Sequence, residues 1–260
     1  MSSSGYQLLT STRFDPALKQ WPWNNLHGKP CPVFLIEYHR DRLKSASEIH
    51  QWPLAHAAID QVDLAQMCLR QIDIYGGSKD SPHRLRITVT NDGEITIVAS
   101  PLPSCFDEDP MLPLVTARNS KYFPHTRPVQ ILIDTQATET SLFTRTKTTF
   151  RSTYDNAKGR NENALKDISH DAVSDVLLFN TENQIMETTI YNVAFYRNSR
   201  WITPSTSSGC LPGVLRRWLL EKGKIFQDEG RTLTRVSIKV GEYVLLFNGV
   251  QGCRVGVIKG

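Results

Sequence analysis

Apolar positions along the chain follow two periods, and their arrangement changes near the middle. Tyr6–Arg13 alternates as a half-buried strand does, and Val33–Tyr38, apolar at its centre, reads as a second strand. His39–Ala46 then opens a helix with Leu43 and Ala46 inward, ended by Trp52-Pro53. A further helix runs from about Val62 to Ile72, with Leu64, Met67, Cys68 and Ile72 on one stripe and Gly76-Gly77 as its stop. Arg84–Thr90 and Glu94–Ala99 flank Asn91-Asp92-Gly93, the clearest β-hairpin pattern in the sequence.

After the hairpin the pattern lapses. Residues 101–113 hold four prolines, and Pro124 and Pro128 follow, which marks a linker over about 101–128. The second half resumes with a strand at Val129–Ile133 and a polar stretch from Gln136 to Thr149. A helix is then expected from near Thr149 to Lys166, weakened by Gly159. Strands are expected at Asp175–Asn180, in a short piece ending at Glu187, and at Asn192–Tyr196, Arg200–Thr203, Glu242–Asn248 and Arg254–Ile258. Pro212-Gly213 starts an amphipathic helix through Leu219, with Gly223 after it. Strands and helices mix without regular βαβ alternation. That predicts an α+β protein of two domains: 1–125, including the start of the linker, and 126–260.

Three stretches carry candidate chemistry. Lys147-Thr-Thr-Phe-Arg151 offers an amine whose charge the neighbouring Arg145 and Arg151 would disfavour. Glu187, forty residues downstream in Met186-Glu-Thr-Thr-Ile-Tyr-Asn192, is a carboxylate in a largely apolar setting. Ser207-Ser-Gly-Cys-Leu-Pro-Gly-Val-Leu-Arg216 is a small, Gly-containing run leading into a helix, suited to an anion. Each has an ordinary alternative: a solvated loop lysine, an edge carboxylate, a common loop before a helix. Together they offer what pyridoxal 5′-phosphate requires: an amine for its aldehyde, an anion for its ring nitrogen, and donors for its phosphate. Arg42 is a plausible phosphate fork, against the alternative of an exposed helix arginine.

Composition narrows the field. With 40% hydrophobic and 22% charged residues the chain is globular in character, and no apolar run approaches the ~20 residues of a membrane helix. The net charge is +4, but the thirty Lys and Arg residues are scattered, so nucleic acid is not implied. Five cysteines without a Cys-x-x-Cys pair argue against a disulfide framework and a zinc site, and no secretory signal is visible; a reduced, cytoplasmic protein is expected. The seven histidines lack paired metal spacing and read as structural or surface residues. Neither a phosphate-loop Gly-Lys-Ser nor a dinucleotide Gly-x-Gly-x-x-Gly occurs.

The order of these pieces resembles the class IV, fold-type IV pyridoxal-phosphate enzymes, which include branched-chain and D-amino-acid aminotransferases and aminodeoxychorismate lyase. Gly5–Arg13 is similar to the family's opening strand, and His39-Arg-Asp-Arg42-Leu to its helix whose arginine holds the phosphate. Lys147 matches the lysine that bonds the cofactor, and Glu187 with Asn192 matches Glu-x-x-x-x-Asn, whose glutamate binds the ring nitrogen. Thr203-Pro204 and Leu211-Pro-Gly-Val214-Leu215 match the segment whose amides meet the phosphate, closed by Arg217 or Arg216. The resemblance implies a small N-terminal α/β domain, a larger cofactor-binding C-terminal domain and a homodimer.

Within the family, aminotransferases commonly carry a tyrosine where this chain has Ser152, and Ser-Gly-Thr where it has Asn248-Gly-Val250. Lys147 followed by Arg151, and Asn248 with Val250, are similar to the lyase. The reaction implied is conversion of 4-amino-4-deoxychorismate to 4-aminobenzoate and pyruvate, toward folate; an aminotransferase acting on branched-chain or D-amino acids is the alternative. Val250 would offer the phosphate its backbone N–H, and Arg13, Arg84, Arg151 and Asn248 are the candidates for binding the substrate.

Overall fold

The computed structural model describes residues 5–76, 79–116, 127–168 and 173–260. Gly77, Pro124, His125, His170 and the expected division at 125/126 lie outside them. Two compact units form: Met1–Asp109 with Thr146–Phe150, and Pro110–Arg145 with Arg151–Gly260.

In the first unit, β1 (Leu8–Phe14), β2 (His83–Val89) and β3 (Ile95–Pro101) make an antiparallel sheet in that order. Alternation along β2 puts Leu85, Ile87 and Val89 into a core shared with α1 (Ile36–Ile49), α2 (Pro53–Gln61) and α3 (Leu64–Tyr75). The Asp63 side chain caps α3 by accepting from Gln66 N at 3.0 Å, and Gly76 ends it at φ 69°. Gly93 turns the hairpin at φ 89°, and a Cβ there would lie 2.8 Å from Leu54 O, so conformation and space both require glycine.

The strand expected at Val33–Tyr38 is instead a single bridge, Phe14 to Val33, followed directly by α1. Asn24 is the cause. Its amide donates to Cys31 O (2.8 Å) and Val33 O (3.2 Å), and its oxygen accepts from Leu35 N (2.8 Å). Leu35 adopts a left-handed conformation (φ 46°), and the apolar run is buried as a turn and a helix start. Helix α2, hidden behind Trp52-Pro53, was not anticipated by the sequence pattern; its proline occupies the first helical turn, where the missing N–H costs nothing.

The second unit is built on an eight-stranded sheet. In chain order its strands are β4 (Val129–Ile133), β5 (Ser174–Phe179), β6 (Ile185–Thr188), β7 (Asn192–Arg197), β8 (Arg200–Thr203), β9 (Phe226–Gln227), β10 (Tyr243–Asn248) and β11 (Gly252–Lys259). In space the order is β6-β5-β4-β11-β10-β7-β8-β9, with β4 parallel to both neighbours. Residues 176–179 of strand β5 are all apolar because both faces of the strand are covered there. Leu177 and Phe179 enter the core with Val129, Ile131 and Val193, while Val176 and Leu178 pack with Tyr154, Ala157 and Met186.

The long helix expected from Thr149 to Lys166 is divided. Short helices α4 (Pro113–Thr116) and α5 (Leu142–Arg145) precede α6 (Ser152–Arg160) and α7 (Glu162–Ile168). The break falls at Asn161, whose amide donates to Ala157 O (2.8 Å) and to the buried Asp134 Oδ1 (2.9 Å), rather than at Gly159. Helix α8 (Val214–Glu221) follows the loop after β8. Lys147 sits in the second half of the sequence but packs with the first unit, because residues 146–150 lie along β1.

Asp15 secures the end of β1. Fully buried, it accepts from Ala17 N (2.9 Å) and Phe106 N (2.9 Å) and pairs with buried Arg13 at 2.7 Å. Asp15→Ala leaves a buried guanidinium without its counter-ion, so urea denaturation is expected to show a loss of about 3–5 kcal/mol in the first unit. A loss below ~1 kcal/mol would mean that the pair is solvated.

Candidate functional site

Each unit holds one constellation of polar groups. In the first, residues 146–150 are laid against β1 by Leu9 N to Lys147 O, Thr149 N to Gln7 O and Gln7 N to Thr149 Oγ1, each 2.9 Å. Side chains alternate in this extended stretch: Thr146 and Thr148 are buried, and Lys147 is half-buried on the other side. Thr146 Oγ1 bonds His50 Nε2 at 2.7 Å, and His50 Nδ1 bonds Tyr6 Oη at 2.9 Å. Burial holds His50 below the ordinary histidine range, so this chain runs through a neutral ring. The lysine backbone is thus pinned on both sides.

His39 and Arg42, three residues apart on α1, share a face. Arg42 Nη2 donates to Thr10 Oγ1 and lies 3.4 Å from His39 Nδ1, which Thr10 Oγ1 approaches at 2.6 Å. A guanidinium can only donate, so His39 Nδ1 accepts and its proton sits on Nε2. His39 Nε2 and Arg42 Nε are both buried without a hydrogen-bond partner. Burial lowers Arg42 to about 9. Burial, then the Arg42 and Lys147 cations, push His39 well below its usual value. Among the described residues these two donors have no acceptor, a condition that an anion would meet.

The second constellation surrounds Glu187, which β6 carries to a position only 3% exposed. Its Oε1 accepts from Tyr154 Oη (2.8 Å) and Leu211 N (3.1 Å), and its Oε2 from Asn192 Nδ2 (3.2 Å). Three converging donors favour a carboxylate over a carboxylic acid. Asn192 also donates to Leu211 O (2.8 Å), and a Cβ on Gly213 would lie 1.9 Å from Asn192 Oδ1. Only glycine lets this loop close on the asparagine. Gly213 caps α8, so the amides of Val214 and Leu215 fall in the first turn, before any intrahelical acceptor. Arg216 is the inward arginine, donating to Pro204 O (2.7 Å) and Gln227 Oε1 (3.0 Å) with Nε buried and unpartnered, while Arg217 pairs outside with Glu221.

The remaining candidates divide. Arg13 is buried, paired with Asp15 and stacked over Phe106 at 4.0 Å. Arg84 is exposed on β2, 3.5 Å from Ser11 Oγ. Arg151 donates to Thr189 O at 2.9 Å and lies over the Tyr154 ring at 4.9 Å. The Val250 N–H expected for a phosphate donates to Asn248 Oδ1 (2.9 Å), which also takes Gln251 N (2.8 Å). Here Asn248 closes the turn. Thr10, His39 and Tyr154 were not singled out from the sequence; the i, i+3 spacing of His39 to Arg42 was the available signal.

Against this geometry, comparison with known proteins is decisive for the family. The chain belongs to the class IV amino-transferase family, whose model matches residues 23–255. Over 230 residues, 87% of this chain and 84% of the relative, it is 30% identical to a Schizosaccharomyces pombe protein provisionally named aminodeoxychorismate lyase. It is 33% identical over 200 residues to the aminodeoxychorismate lyase of Saccharomyces cerevisiae, covering 68% of this chain and 52% of that one. A branched-chain amino acid aminotransferase from Thermobaculum terrenum, solved in its pyridoxal-phosphate form, superposes with a TM-score of 0.64 at 17% identity over 97% of this chain and 76% of its own. The α+β architecture is that of fold-type IV enzymes.

Neutral His39 makes stability pH-dependent. The unfolded chain binds a proton near pH 6.5, and the folded His39 site resists it, so its contribution is fully present above that pH and lost as pH falls. Urea denaturation from about pH 7 to 5 is expected to show a decline of about 1.4 kcal/mol per pH unit from this group, a limb that His39→Gln flattens. Equal slopes in the two proteins would contradict a buried neutral imidazole.

Proposed function

We propose that the protein is a pyridoxal-phosphate-dependent 4-amino-4-deoxychorismate lyase, forming 4-aminobenzoate and pyruvate for folate synthesis. The observation that carries the cofactor is the buried Glu187 carboxylate with its three donors, paired in sequence with an intact Lys147. The residues present fit the group. In the first unit the orphaned donors of Arg42 and His39 suit an anion; in the second the first-turn amides of Val214 and Leu215 do so as well, and Glu187 suits a protonated ring nitrogen. When bound, the cofactor supplies an aldehyde for the substrate amine and a cationic ring that accepts electrons.

The chain's own residues then have distinct tasks. Lys147 would hold the cofactor through its aldehyde and, as a free amine, would take up the ring hydrogen beside the substrate's amine. Glu187 keeps the proton on the ring nitrogen. Arg84 and Arg151 are candidate cations for the two substrate carboxylates, while Arg13, the third candidate, has the buried Asp15 carboxylate beside it. Loss of the ring hydrogen and the enolpyruvyl group leaves an aromatic product, which drives the step forward. The lyase names of the two fungal relatives support this reaction over amino transfer. The same proposal includes a small N-terminal domain, a larger cofactor-binding domain and a homodimer, as the family resemblance implies. A cytoplasmic setting is supported by five free thiols.

Absorbance of the purified protein beside Lys147→Ala, followed by addition of aminodeoxychorismate, tests the proposal. Wild type is expected to show a visible cofactor band and to release 4-aminobenzoate without an amino acceptor. The variant should lose the band and at least about a thousandfold in rate. A band with amine transfer only to added keto acids would favour the aminotransferase, and no band in wild type would remove the cofactor.

A further inference from the structure

We propose that Tyr154 is a positioning residue for Glu187, its hydroxyl fixing the orientation of the carboxylate and supplying one of the hydrogen bonds that favour its negative charge. This rests on the assignment of Glu187 to a cofactor's ring nitrogen.

Tyr154 is 8% exposed, its ring packed with Ala157, Val176, Leu178, Met186 and Cys210, so its hydroxyl needs a partner inside the protein. The partner is Glu187 Oε1 at 2.8 Å. Burial, then the Glu187 charge, push Tyr154 well above the usual tyrosine value, which keeps the hydroxyl a donor at any working pH. The same helix is fastened a second time to this strand end, through Arg151 to Thr189 O. Two bonds from the start of α6 therefore hold residues 187–189.

The other two donors are shared or fixed differently. Asn192 divides its amide between Glu187 and Leu211 O, and Leu211 contributes a backbone N–H at 3.1 Å. Tyr154 gives the shortest of the three contacts. Without its hydroxyl the carboxylate loses a donor in an apolar enclosure, becomes easier to protonate and gains freedom to turn. A protonated Glu187 cannot balance a cationic ring.

The experiment titrates apoprotein with pyridoxal phosphate across pH, for wild type, Tyr154→Phe, Glu187→Gln and the double variant, with apoprotein unfolding measured alongside. Tyr154→Phe is expected to raise Kd about ten- to a hundredfold, as loss of a hydrogen bond to a charged group does. The pH below which binding weakens should move upward, and the Phe substitution should have no further effect in Glu187→Gln. A purely structural tyrosine would lower apoprotein stability and leave that pH unchanged. Wild-type affinity and pH response in Tyr154→Phe, with the band still dependent on Lys147, overturn the inference alone. Wild type that binds no pyridoxal phosphate overturns the cofactor assignment and this inference with it.

Discussion

The second unit depends on making a buried carboxylate tolerable. Removing Glu187 from water costs several kcal/mol unless donors replace its hydration. Much of the surrounding geometry follows. The first turns of α6 bring Tyr154, β7 begins with Asn192, and the loop before α8 bends so that Leu211 N points inward. Closing that loop on Asn192 leaves no space for a Cβ at residue 213, and glycine there in turn starts α8. One charge thus accounts for a tyrosine, an asparagine, a glycine and a helix start that are far apart in sequence.

The first unit shows the opposite imbalance. Glu187 is surrounded by donors, whereas His39 Nε2 and Arg42 Nε are buried with no acceptor among the described residues. Proteins retain such defects where a ligand completes them. His39 bears most on this, because protonation would add a third cation; keeping it neutral gives Arg42 an acceptor at Nδ1 instead of a competitor. The Tyr6–His50–Thr146 chain serves the neighbouring lysine in another way, holding its backbone without adding charge.

Local pattern made most strands and the hairpin legible, since period-2 alternation and Asn-Asp-Gly act over a few residues. It failed where a distant side chain decided the outcome. Val33–Tyr38 has strand composition, but Asn24 ties residues 31–35 into a turn. The helix after Lys147 has a visible weak point at Gly159, yet Asn161 and the buried Asp134 set the break. Among the candidate site residues, Lys147, Glu187 and Arg42 stood out because each sits in a motif with order and spacing. Tyr154 could not, since its meaning lies in a contact with a residue thirty-three positions away. The pairing of Arg13 was hidden for the same reason: nothing local to the strand pattern shows that its guanidinium meets Asp15.

The turn after β10 bears on how such a site would divide its labour. A threonine at residue 250 would offer a hydroxyl to an anion; valine offers none, and its N–H is already taken by Asn248 Oδ1 together with that of Gln251. While the asparagine keeps this orientation, this turn offers an anion neither a side-chain hydroxyl nor the Val250 N–H. In the first unit the Arg42 guanidinium is itself weakened by burial, to about 9. An incoming dianion would offset that desolvation, and the guanidinium would stabilise the dianion. Each buried charge is then costly alone and favourable in company, which is the same condition that Glu187 meets with a cationic ring.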